Sequence, residues 1–595
     1  MLEWDYNKIK KLKMKKTIYL LICCLAFIGC EKQLDLDPNF ISEASIFEDQ
    51  NLTEAYIADL YQRSLFQYAT NQNMGLFAAM GAEYINFANW QQPNQAFRRA
   101  YTQDTGPGPL DRWNYGNMRD MNFLLQNIEL SENLDADYIK AKKAEVRFLR
   151  AYDYFEMAKR FGGVPILERV QNRDDSYEEL YLPRNTEQEV YDFIYNETQA
   201  ILNDFSDDKR GANGRADKYA VLMLQSRAML YAASIAKNGE LGPNGVVGIP
   251  AGLANSYYQK SYDASKTIID SGMFSLIDSG NDKVANYASI FLTDGSNNSE
   301  TIFAEVYEPI VRGHSLDLLG TPQGFGSTWN SNFPVIYDFV ELFDFTDGRS
   351  GKVSRSLLTA SNTWDLDDFF GNRDPRFRAS VFYPESEWQN QRVWFHNRVI
   401  KPDGSTANGV NNTFVRADGV EMPEASQPRN RRNTSLLLRK RLDESNAQPI
   451  GNASGQDYII YRYGETLLNY AEAAFYLDKQ GDALSAINQI RTRAGMPLRA
   501  AITEDYIRQE RQVELCFEDH RYWDLIRWRI APLYLDGIRN QGLVFSYVEA
   551  SDEYIITLKN AEGGFTRSFG PERYYLPFGN GRLADNPNMV QNPGY

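Results

Sequence analysis

Two glutamates one helical turn apart, Glu514 and Glu518, are the best-spaced candidates for acid–base chemistry in this 595-residue chain. Glycoside hydrolysis needs two carboxylates about 5 to 10 Å apart across a cleft, one with a raised pKa. Arg511 and Arg521 lie on the same stretch and are expected to pair with both acids, lowering their pKa values instead. Asp367-Asp368 reads as a charged loop, and among 79 acidic residues chance pairs are unavoidable. The three histidines, His314, His396 and His520, show no metal-ligand spacing, so neither a metal nor a cofactor is expected. Cys516 reads as a small buried apolar residue rather than a nucleophile. No Gly-x-Ser-x-Gly elbow with plausible partners and no Gly-rich phosphate loop is present. These residues point away from an enzyme.

Binding chemistry is better represented. Aromatic residues make up 13% of the chain, with 37 tyrosines. A sugar ring presents an apolar C–H face and a fringe of hydroxyls, so its recognition needs an exposed aromatic plane beside amides or guanidiniums. Asn86 to Gln92 supplies that mixture in Asn89, Trp90 and Gln91, followed by Arg98, Arg99 and Tyr101. A second segment, Gly324 to Asn330, carries Phe325 and Trp329 beside glycines that permit exposure. The expected ligand contacts are therefore Asn89, Trp90, Gln91, Arg98, Tyr101, Phe325 and Trp329. The competing expectation is that Trp90 and Trp329 plug their loops onto the scaffold. Net charge of -16 and pI about 5.0 exclude a basic nucleic-acid surface.

The elements that must position these segments are mostly helices. Ala144, Phe148, Ala151, Phe155 and Ala158 form one apolar stripe within a helix expected over Lys140 to Phe161, stopped by Gly162-Gly163 and Pro165. Further helices are expected near Thr53 (read as the cap), over Thr186 to Leu202, Lys218 to Ala236, Tyr257 to Ser271 and Pro334 to Phe343. Trp113, with Tyr115 and Asn122 behind it, reads as packing for a helix start. Residues 71–109 and much of 239–456 read as loop, the latter with a few short strands. Tyr458 to Asp478 and Ala483 to Ala494 form an antiparallel pair close to a tetratricopeptide unit in length. A long helix over Thr503 to Trp528 and an extended Pro/Asn-rich tail complete the chain. The fold class expected is all-α, with tetratricopeptide-like helix pairs beside a loop-rich ligand region.

The N-terminus reads as a secretory signal. Lys15-Lys16 precede an apolar run from Ile18 to Ile28, too short to span a membrane, and Gly29-Cys30 follows. Met14 reads as the initiator, with Met1 to Lys13 upstream of it. Phe27 to Cys30 resembles a bacterial lipobox, whose cysteine is lipidated after cleavage. The expected organisation is a signal peptide over 1–29, a lipidated tether over 30–40, an N-terminal helical region with ligand loops over 41–340 and a C-terminal region over 341–595. Only Cys516 then remains in the mature chain, which excludes an intramolecular disulfide.

Several motifs together resemble the SusD/RagB family. They are the run from Glu145 to Tyr152 leading into Arg160 to Pro165; Tyr461 to Ala473 followed by Ile487 to Arg491; Glu510 to Leu515 leading to Glu518 to Trp528; and the tail Asn586 to Tyr595. Tyr575 to Gly579 departs from the family pattern by one proline. The resemblance implies a non-catalytic lipoprotein of the outer membrane, seated on a SusC-like TonB-dependent transporter and binding an oligosaccharide on an aromatic surface, with peptide cargo left open. It also implies that the excursion after the first helices and the loop near Trp329 hold the ligand contacts. A surface adhesin or envelope structural protein is the alternative, and such proteins are usually built of repeated all-β modules. The charged motif residues, among them Arg147, Arg150, Glu465, Glu472, Glu510, Glu514, Arg521, Asp524 and Arg527, read as scaffold ion pairs.

Overall fold

The computed structural model describes residues 46–65, 76–85, 101–206, 214–327, 329–426 and 433–595. Helices predominate, as expected, with a few small sheets, and repeated all-β modules are absent among the described residues. Helix α1 spans Gln50–Ser64, α2 Tyr115–Asn127, α3 Ala136–Phe161, α4 Glu187–Ile201, α5 Lys218–Asn238 and α6 Ala254–Asp270. After the loop-rich middle come α7 (Tyr463–Tyr476), α8 (Gln480–Ala494), α9 (Glu504–Glu514) and α10 (Arg521–Arg527). Neighbours in sequence pack side by side, α3 on α4, α5 on α6 and α7 on α8, and α6 on α7 links the two halves.

The sequence explains these helices locally. Along α3 the stripe Ala144, Phe148, Ala151, Phe155 and Ala158 is buried, and Gly162 ends the helix at φ +70°. The next residue must be glycine for another reason: a Cβ on Gly163 would stand 2.0 Å from the Asn185 carbonyl oxygen. Thr186 and Glu189 form a capping box at the start of α4. Ala483, Ile487, Ile490 and Ala494 of α8 are buried on one face, and Gly495 closes it in the left-handed region. Trp113 does pack a helix start, meeting Tyr115, Phe161 and Phe578 at ring-centroid distances of 4.6, 5.5 and 5.3 Å.

Five expectations need correction. The cap of α1 is Asp49, whose carboxylate accepts from Asn51 and Leu52; the Thr53 hydroxyl bonds back to the Ile46 and Asp49 carbonyls instead. Pro334 to Phe343 yields only a four-residue helix, Tyr337–Val340. Tyr458–Arg462 is a strand, antiparallel to Thr301–Glu305, with the helix starting only at Tyr463. Both strands are buried along their full length, so a continuous apolar run reads equally well as buried strand or helix. The helix expected over Thr503 to Trp528 is two helices, broken where Phe517 and Asp519 take positive φ of 57° and 62°. The C-terminal stretch holds a hairpin of two eight-residue strands, Gln541–Val548 with Glu553–Asn560, that anchors a five-stranded sheet.

Candidate functional site

The charged motif residues build an ionic core, and its geometry excludes acid–base chemistry. Arg462, 1% exposed, donates to Glu514 at 2.8 Å and to both Glu518 oxygens at 2.8 Å. Arg376 reaches Glu510 at 2.7 Å and Glu514 at 2.9 Å, and Arg493 reaches Glu300 at 2.7 Å and also meets Glu514. Burial pushes the Glu514 carboxyl up, but Arg493, Arg462 and Arg376 outweigh it and hold the group well below the usual range. Burial likewise opposes the ionised Glu518, yet Arg462 and Lys440 bring it down to about 2. The direction expected from sequence is right and the partners are not. Arg511 bonds Asp524 at 2.8 Å, and Arg521 donates to the Gly81 carbonyl at 2.8 Å.

The other motif residues are scaffold in the same way. Arg147 and Arg150 share Glu197 at 2.8 and 2.6 Å, Arg227 holds Glu465 at 2.7 Å, and Arg527 joins Glu472 at 2.7 Å and Asp524 at 2.9 Å. Burial raises the Cys516 thiol, with Lys440 opposing, which leaves it protonated and inert. Burial lowers His396 to about 4, and its Nε2 lies 2.8 Å from the Pro423 carbonyl oxygen. Among the described residues no three His, Cys, Asp or Glu side chains gather as a metal site.

The loop face is built differently. Trp329 is 56% exposed at the end of a loop that is otherwise tied down. The Ser327 hydroxyl accepts from the Trp329 N–H at 3.2 Å, Asn330 Nδ2 donates to the Ser327 carbonyl at 2.8 Å, and Asn332 Nδ2 donates to that of Trp329 at 3.1 Å. Gly326, at φ +77°, lies so close to the neighbouring loop that a Cβ would stand 2.3 Å from the Ala447 oxygen. Ile310 N–H donates to Asn452 of that same loop at 2.9 Å. Three loops thus meet, and they expose Trp329 together with Ile310, Val311 and Ile450. Among the described tryptophans Trp329 alone is exposed, which leaves its ring face available for stacking on a ligand.

The remaining sequence candidates separate. Phe325 is buried beneath this loop, and Tyr101 is buried with the Arg573 guanidinium 5.3 Å from its ring centroid. Neither ring is presented at the surface as Trp329 is. Asn89, Trp90, Gln91 and Arg98 lie outside the described residues, as does Cys30. The exposed aliphatics Ile310, Val311 and Ile450 carried no signal in sequence, because isolated apolar residues in loops are ordinary.

Comparison with known proteins identifies the lineage. The model of the SusD family matches residues 289–595, and a second family model, described as starch-binding associating with outer membrane, matches residues 33–230. The chain belongs to the SusD family. It is therefore a protein associated with the outer membrane and not an enzyme. A SusD-like protein of Bacteroides ovatus is 23% identical over 575 residues, covering 94% of this chain and 92% of the relative. The starch-binding protein SusD of Bacteroides thetaiotaomicron is 24% identical over 485 residues, covering 80% and 76%. Among solved structures, a SusD-like protein from Bacteroides fragilis superposes with a TM-score of 0.71 at 23% identity, covering 93% of this chain and 99% of that one. A laminarin-binding SusD-like protein superposes at 0.60 and 17% identity, covering 92% and 100%. These likenesses establish the shared fold.

Proposed function

We propose that this SusD-family chain is a surface lipoprotein that binds glycans on the loop face around Trp329 and hands them to a SusC-like TonB-dependent transporter. The observation that carries the binding reading is the exposed Trp329 ring on a pinned loop, in a family whose relatives include starch-binding and laminarin-binding proteins. Phe325 supports the loop from beneath, and the segment with Asn89, Trp90, Gln91 and Arg98 supplies the further amide, guanidinium and ring contacts. The apolar run before Gly29-Cys30 supports attachment through lipidation of Cys30 after removal of residues 1–29.

A polysaccharide retardation and glycan-array screen of the purified protein, with a detergent pull-down of a tagged copy, tests the reading. Retention by at least one polysaccharide and recovery of a large TonB-dependent partner are expected. Retention by none would overturn the binding claim. Recovery of the protein alone in several detergents would overturn delivery, and a Cys30→Ala variant that stays in the membrane fraction would overturn the anchor.

A further inference from the structure

Deep in the scaffold lies a polar cavity of about 30 Å³, where α3, α5, the strand Tyr458–Arg462 and the turn between α9 and α10 converge. Its lining residues are buried, except His520, which is half-buried. The donors around it outnumber the acceptors they are given. Lys159 contacts one carboxylate oxygen, Glu156 Oε1 at 2.6 Å, and lies 4.9 and 5.0 Å from the Phe155 and Trp523 ring centroids, although an ammonium carries three N–H groups. Arg227 commits Nε and Nη2 to Glu465 and the Ile460 carbonyl, and its Nη1 has no acceptor among the described residues. The His520 imidazole likewise has no hydrogen-bond partner among the described residues.

Buried polar groups are almost always paired, by protein or by ordered water. The cavity has the size to supply what is missing, since one water needs about 10–15 Å³ of such space, leaving room for about two. We propose that this cavity is a permanent site for about two water molecules, which accept from Lys159 and Arg227 and hydrogen-bond the His520 ring. The waters would join helices of the N-terminal half to the Glu518–Trp523 motif of the C-terminal half. Their role is positional: they give His520, at the end of the turn through Phe517 and Asp519, the partners that the surrounding side chains do not supply. A small anion suits the site less well, because Glu156, Glu518 and Asp519 also line it and leave the wall without a positive surplus.

His520 also stays neutral there. Burial and the charges of Arg227, Arg511, Arg462 and Lys159 all drive its pKa well below the ordinary value. A neutral ring offers one donor and one acceptor, which suits water.

A crystal structure of the purified protein, at a resolution that shows ordered solvent, tests the site. Solvent peaks are expected within about 2.7–3.2 Å of a His520 ring nitrogen and of Lys159 Nζ or Arg227 Nη1. His520→Phe should retain the helical circular dichroism spectrum and lose at least one peak, while His520→Gln should keep both. An empty cavity in the wild-type map would overturn the proposal. So would an anomalous peak in the cavity after a bromide soak, because it would make the occupant an anion. Should His520→Phe fail to fold, the wild-type map and the soak still decide.

Discussion

The ionic core and the loop face use the same residue types to opposite ends. In the core, Arg462, Arg376, Arg493 and Arg527 are each 1% exposed and paired with buried carboxylates. Trp388, 2% exposed, is packed edge-on against Phe382. On the loop face, Trp329 is 56% exposed on a backbone held by three side-chain hydrogen bonds. The lesson concerns recognition. The motifs that mark the family are mostly buried groups engaged with one another, and a buried side chain has no face to offer a ligand. Binding is to be sought where the backbone is fixed and the side chain is not.

The strongest way to break this contrast is to remove a core cation. Arg462→Ala removes the cation that buried Glu514 and Glu518 share, leaving Arg376 and Arg493 on the first and Lys440 on the second, and should destabilise the protein by about 3–5 kcal/mol, read by chemical denaturation. A loss below about 1 kcal/mol would mean that the ionic core is not a unit.

Titration sharpens it. Folded Glu518 sits at about 2 against an ordinary 4.5, so its contribution is present above 4.5 and is lost as pH falls towards 2. Glu83 has the opposite sign. It lies where the core meets the loop face: its carbonyl accepts from Ile336 N–H at 3.1 Å and its carboxyl from Phe517 N–H at 2.8 Å. Burial lifts its pKa to about 8 against the Phe517 N–H bond and the charge of Arg521. A group raised in this way contributes fully below 4.5, and the contribution is lost as pH rises to 8, by up to about 1.4 kcal/mol per pH unit. Glu83→Gln should flatten that alkaline slope in pH-dependent denaturation; an unchanged slope would assign it to another group.

A smaller effect is expected at a cap. Thr186→Ala removes one half of the capping box of α4 and should cost about 1 kcal/mol. A melting curve identical to wild type would show that packing of α4 on α3 and α5 makes the cap redundant.

Much of the scaffold was legible in the sequence because its signals are local. The stripe from Ala144 to Ala158, the glycines at 162 and 495, and Thr186 with Glu189 act within one or two helical turns. What escaped was set by distant partners. The break after Glu514 places Glu514 and Glu518 around Arg462, a residue 52 positions away from Glu514, and nothing near residue 517 announces it. The strand Tyr458–Arg462 depends on Thr301–Glu305, and the hairpin at Gln541–Asn560 on alternating residues that also occur in loops. At the loop face the sequence pointed to Trp329 through its flanking glycines. Exposure is a property of the assembled surface, however, and Phe325, four residues away, is buried.

The central claim is that the loop face binds and the core only supports, and Trp329→Ala tests it most directly in paired measurements of glycan affinity and melting. The account predicts an affinity loss of about 1–3 kcal/mol, as for a hot-spot ring, with stability unchanged within about 0.5 kcal/mol. Unchanged affinity, or a stability loss of about 3–5 kcal/mol as for a buried aromatic, would contradict it.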